Sequence, residues 1–90
     1  MSTSWLQGYI DKEVVAEIGD AFTVFGTLID VDEHHLLFAD ADLHHQGEAN
    51  SSRDVYALET RDLGIRRNRE RLAVPRWRLI AISLLCEVNA

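Results

Sequence analysis

Ninety residues, 47% of them hydrophobic, have room for one modest core and match the size of a single domain spanning residues 1–90. One cysteine, Cys86, excludes an internal disulfide and a cysteine-paired metal site. The net charge of −6, taken alone, argues against nucleic acid, yet the charge is segregated: residues 1–48 hold Lys12 against ten acids, and residues 61–78 hold seven arginines against Asp62 and Glu70. Such a basic cluster on an acidic chain points to a local polyanion site or to a charge-complementary partner surface.

In chain order, Ser2 or Thr3 would cap a short helix over Trp5, Leu6, Tyr9 and Ile10, whose apolar residues recur at helical spacing. Val14–Ile18 reads as a first strand and Gly19-Asp20-Ala21 as a tight connection, since glycine and aspartate tolerate the backbone angles of short turns. Phe22 to Val31 alternates with apolar groups on both faces, the pattern of a strongly curved barrel strand. Gly26 inside it marks a bend or a close backbone approach. Asp32-Glu33 breaks the run, and a third strand is predicted from about His35 to Leu43. Residues 44–54 are polar and predict an exposed loop. Val55–Thr60 contains β-formers and is assigned as a strand, against a competing helix capped by Asp54 and stopped by Gly64. Residues 64–69 form an arginine-bearing turn. A short strand from Arg71 to Val74 ends at Pro75, which cannot donate to a ladder. Leu79–Leu85 is a continuous apolar run, the signature of a strand buried on both sides. A short helix followed by five or six short strands predicts a small all-β barrel.

The stretch Gly26-Thr27-Leu28-Ile29-Asp30-Val31-Asp32-Glu33-His34-His35-Leu36-Leu37-Phe38, a bent strand, an acidic turn and a strand that starts at once, resembles the first signature of the Sm and Sm-like proteins. The order of elements over most of residues 5–88 is similar too, and fits a divergent, bacterial-type member. The resemblance implies a strongly bent five-stranded barrel with a short N-terminal α-helix. It also implies a homo-oligomeric ring, of five to seven subunits, and single-stranded RNA as a partner. In RNA-binding relatives the turn after the bent strand supplies a base-stacking aromatic or histidine, the position His34 occupies here, while Asp32 matches an acidic residue that supports the loop. Two residues on, Leu36 stands where the family usually places a base-reading asparagine; bacterial members also carry an apolar residue there. The second family signature, Arg-Gly-x-Asn, is replaced by Pro75-Arg76-Trp77-Arg78.

Candidate RNA contacts are therefore His34, Arg76, Trp77 and Arg78: an imidazole or indole to stack a base, and guanidinium groups to meet phosphate or stack. Arg71, Val74, Leu79, Ile80 and Ile82 are the candidate oligomer interface. An open five-stranded barrel leaves edges that must be paired, and Leu79–Leu85 of one protomer would pair with Arg71–Val74 of the next. Trp77 between two arginines suits an interface anchor as well as a stacking platform, so a protein-interaction ring without RNA stays open as the alternative function. Adjacent His34 and His35 point to opposite faces of an extended segment, and the chain lacks a nucleophile–base pair, a phosphate loop and metal-ligand spacing. The sequence thus predicts a non-enzyme with no cofactor and no resident metal. It shows no signal-peptide pattern and no membrane-span-length apolar run, which predicts a cytoplasmic protein.

Overall fold

The computed structural model describes residues 5–46 and 52–89. Five antiparallel strands form one sheet: β1 (Lys12–Ile18), β2 (Phe22–Val31), β3 (His35–His45), β4 (Arg69–Pro75) and β5 (Leu79–Leu84), in the order β4-β3-β2-β1-β5. Helix α1 (Arg53–Leu63) lies between β3 and β4.

The sheet is bent where the sequence places its irregular residues. Gly19 adopts φ +57 in the β1–β2 turn, a conformation glycine takes without a Cβ penalty. At Gly26, opposite Val14 on β1, an added Cβ would lie 2.9 Å from the Ala41 Cβ, so the strands approach there more closely than a side chain allows. The β2–β3 register shifts between Phe25 and Thr27 and again between Leu28 and Asp30. Asp40 on β3 has φ +49. Bulged positions of this kind sharpen local twist and curvature.

Curvature divides the apolar residues into two clusters. Inside the barrel lie Leu6, Val14, Val24, Leu28, Leu36 and Phe38, all fully buried. On the outer face Val15 and Phe25 pack with Tyr56 and Ala57 of α1 and with Leu85. The two faces of β2 are both used: Val24 and Leu28 fill the barrel, Val31 joins them beyond the register shift after Leu28, and Phe25 anchors the helix.

Several expectations are corrected. Val55–Thr60 is not a strand but the body of α1. Ser52 caps it through an Oγ that accepts from the Val55 amide at 3.2 Å, Asp54 adds an acid in the first turn, and Gly64 closes it at φ +98. Caps and the outer face presented by Phe25 outweigh the β propensity of Val55 and Tyr56. Residues 44 and 45 are not loop: His44 and His45 extend β3 by pairing with Thr23 and Phe22. The N-terminal helix is a 3-10 turn, Leu6–Tyr9, without a side-chain cap; Gly8 within it is a poor helix former, and the Ser2 and Thr3 caps lie outside the described residues. β5 ends at Leu84, before a 3-10 turn at Leu85–Glu87. Instead of being buried on both sides it is a half-exposed edge, because only β1 pairs with it and Ile80 is 64% exposed. The sheet has the five strands that the resemblance implies.

Candidate nucleic-acid interface

The β2–β3 turn is built around one carboxylate. Asp32 Oδ1 accepts from the backbone amides of His34 and His35, each at 2.7 Å, and the Asp32 amide donates to the His35 carbonyl at 3.0 Å. Those amides, His34 first and His35 next, hold the Asp32 carboxyl below its ordinary range. An aspartate that bonds its own following backbone is a standard turn former; here it leaves Glu33 and His34 projecting from the tip, both exposed.

The β4–β5 connection meets this turn. Pro75 ends β4 and Arg76–Arg78 form a 3-10 turn. The Arg76 amide donates to the His34 carbonyl at 2.7 Å, and Arg76 Nη1 donates to the Asp32 carbonyl at 3.2 Å. Segments 44 positions apart are thereby clamped side by side. Glu33, His34, Arg76 and Trp77 line one hollow of about 500 Å³, within the range of small-ligand sites. Trp77 is 79% exposed, an unusual state for so large an aromatic.

The four candidate contact residues divide accordingly. His34, Arg76 and Trp77 share the hollow. Arg78 turns toward the β1–β2 turn: its carbonyl accepts from the Gly19 amide at 2.9 Å and its guanidinium occupies the space where a Gly19 side chain would go. The Arg78 guanidinium also lies 5.3 Å from the Trp77 ring centroid, a cation–π distance. Leu36 is fully buried in the barrel and reaches no ligand. Glu33 lines the hollow although sequence reading treated it only as a strand breaker; its signal was adjacency to His34 in a two-residue turn tip.

Of the candidate interface residues, Arg71 is an exposed member of edge strand β4 and Val74 on the same strand is buried in the core. Leu79, Ile80 and Ile82 line the opposite edge, β5. Between β4 and the β1–β2 turn an apolar mouth of about 330 Å³ opens, lined among others by Ile18, Phe22, Leu43, Leu72 and Trp77.

Sequence reading did not anticipate a polar cluster under α1. The Tyr56 hydroxyl donates to Asp42 Oδ2 at 2.5 Å, Asn68 Nδ2 donates to Asp42 Oδ1 at 2.8 Å, and the Asn68 Oδ1 accepts from the Leu43 amide at 3.0 Å. His44 stacks on Tyr56 with centroids 3.7 Å apart, and Arg66 covers the same ring at 5.2 Å. Burial and then the Asp42 carboxylate push the Tyr56 hydroxyl up to about 12. Among the described residues no group of three or more histidine, cysteine or acidic side chains is placed to hold a metal, and no helix is long and apolar enough to cross a membrane.

A bent five-stranded antiparallel sheet in this order, entered by a short helical turn, is the Sm-like fold. An Sm protein of Pyrococcus abyssii, whose structure was solved in complex with a uridine heptamer, matches this chain with a TM-score of 0.63 and 19% sequence identity, over 93% of this chain and 97% of that one. No protein-family model and no curated protein matches the sequence.

Proposed function

We propose that the protein binds single-stranded RNA through the hollow at the β2–β3 turn, as a subunit of a closed homo-oligomeric ring of five to seven copies. The observation that carries the RNA reading is the clamp between the two turns. It brings His34, Arg76 and exposed Trp77 into one concavity, and stacking faces beside a guanidinium are the parts from which single-strand sites are made. The Sm-like fold, shared with a protein whose structure was solved in complex with a uridine heptamer, supports the same reading. The ring is supported by the two open edges. β4 and β5 lie at opposite ends of the sheet order, and Ile80 on β5 is too apolar for a free edge, so pairing β5 of one copy with β4 of the next would satisfy both.

The test is a titration of fluorescent heptaribonucleotides at ~50 mM salt, a condition that favours phosphate contacts. The wild type is expected to bind, and Trp77→Ala and His34→Ala each to weaken binding by roughly five- to a hundredfold, the value of one lost base stack of about 1–3 kcal/mol. Wild-type protein that binds none of the heptamers would refute the RNA reading. A protein-interaction ring would then remain, because Trp77 beside the apolar mouth suits an anchoring contact equally.

A further inference from the structure

We propose, resting on the RNA reading above, that the hollow selects guanine, whose Watson–Crick edge is received by the Glu33 carboxylate while its ring stacks on His34 and Trp77. The argument is an inventory of hydrogen-bonding groups. Leu36 is sealed in the barrel and offers nothing. Asp32 Oδ1 is committed to two amides, and Arg76 is drawn onto the Asp32 carbonyl. Trp77 carries one indole N–H and otherwise a π-face. Glu33 is exposed, lines the hollow, and has no hydrogen-bond or ion-pair partner among the described residues. Its carboxylate is an acceptor at both oxygens and a donor at neither.

Among the four bases only guanine presents two adjacent donors, N1–H and the N2 amine, that match both oxygens of a carboxylate in parallel. Such charge-assisted paired bonds are the strong ones. Uracil offers the single N3–H donor between two carbonyls, so one carboxylate oxygen would face a carbonyl oxygen. Adenine and cytosine each offer an amine beside a ring-nitrogen acceptor, which gives one bond and one repulsion. With Leu36 sealed in the barrel, Glu33 supplies the acceptor-only group of the hollow, and guanine is the base whose donors match it.

The experiment compares three labelled heptamers by fluorescence anisotropy: all-uridine, the same with one central guanosine, and the same with central inosine, which keeps N1–H and lacks the N2 amine. The guanosine heptamer is expected to bind about tenfold more tightly than all-uridine, the discrimination of one good paired contact, and the inosine heptamer to lose most of that gain. In Glu33→Gln the guanosine preference should shrink to about twofold or less, since one amide position now donates. Glu33 is an exposed turn residue, and an unchanged circular dichroism spectrum would show that the variant is folded. All-uridine binding as tightly as the guanosine heptamer would overturn guanine selection and leave RNA binding standing. A guanosine preference that survives in Glu33→Gln would overturn the role of Glu33. No binding by any heptamer would remove this proposal together with the RNA reading. Free guanosine monophosphate that competes as well as the heptamer would overturn RNA as the source of the base.

Discussion

Tyr56 holds the outer helix to the barrel by four contacts of different kinds. It packs on Phe25, stacks on His44, lies under Arg66 and donates to Asp42. Removing the hydroxyl leaves the Asp42 carboxylate, only 3% exposed, with Asn68 alone, so Tyr56→Phe is expected to destabilise the protein by about 1–3 kcal/mol in urea unfolding. The hydroxyl also sets an alkaline limit. Its folded value of about 12 stands above the ordinary 10.0, so the fold favours the protonated form. That contribution is complete below about pH 10 and is lost as pH rises toward 12. Stability measured across that window should fall in the wild type and fall less in Tyr56→Phe. At Gly26 the constraint is steric rather than chemical. Gly26→Val must place its side chain against Ala41, and an overpacking penalty of about 1–3 kcal/mol is expected in the same unfolding assay.

At the scale of elements, strands that alternate or carry a turn former were legible in the sequence, and the helix was not. β2 was read with its observed limits, and the Gly19 turn and the Pro75 terminus fall where expected, because each depends on local backbone chemistry. Val55–Thr60 was misread because its β-formers are genuine; the deciding partner is Phe25, thirty or more positions away in the chain, together with the Ser52 cap. Asp42 and Asn68, 26 positions apart, meet only after β3 and β4 have paired, so no spacing rule would join them. Likewise β5 reads as doubly buried, and within one chain only one side is covered. The proposed ring covers the other. Ile80→Asp places a charge on an exposed edge residue where the lone chain has no reason to unfold, and native mass measurement is expected to shift from a multimer to the 10.2 kDa chain. An unchanged multimer mass would count against the β4–β5 contact.

Across the whole molecule the segregated charge seen in the sequence acquires positions. The arginine-rich segment becomes the end of α1, the following turn and edge strand β4, where Arg69 and Arg71 are exposed and donate to the neighbouring Asn68 and Glu70 carbonyls. Charged side chains on an edge discourage indiscriminate strand pairing while allowing a partner of matching charge. The acidic half supplies β1 to β3 and the turn that bears the hollow. At the hollow itself one acid, Glu33, stands beside one base, Arg76. The fold class was readable from pattern, and the candidate hollow only in part: His34, Arg76 and Trp77 were named from sequence, whereas their meeting in one concavity, the departure of Arg78 and the entry of Glu33 required the third dimension.

The clamp that makes the hollow combines main-chain bonds, the Arg76 amide on the His34 carbonyl and the Asp32 amide on the His35 carbonyl, with the Asp32 carboxylate and the Arg76 guanidinium. Side chains at positions 33, 34 and 77 hang from this frame without holding it together. Ligand preference and architecture are therefore separable in heredity. If the proposed RNA socket is real, changes at positions 33, 34 or 77 would alter its ligand while Asp32 and the two strands stand as they are, and a lineage could drift far in sequence without losing the frame.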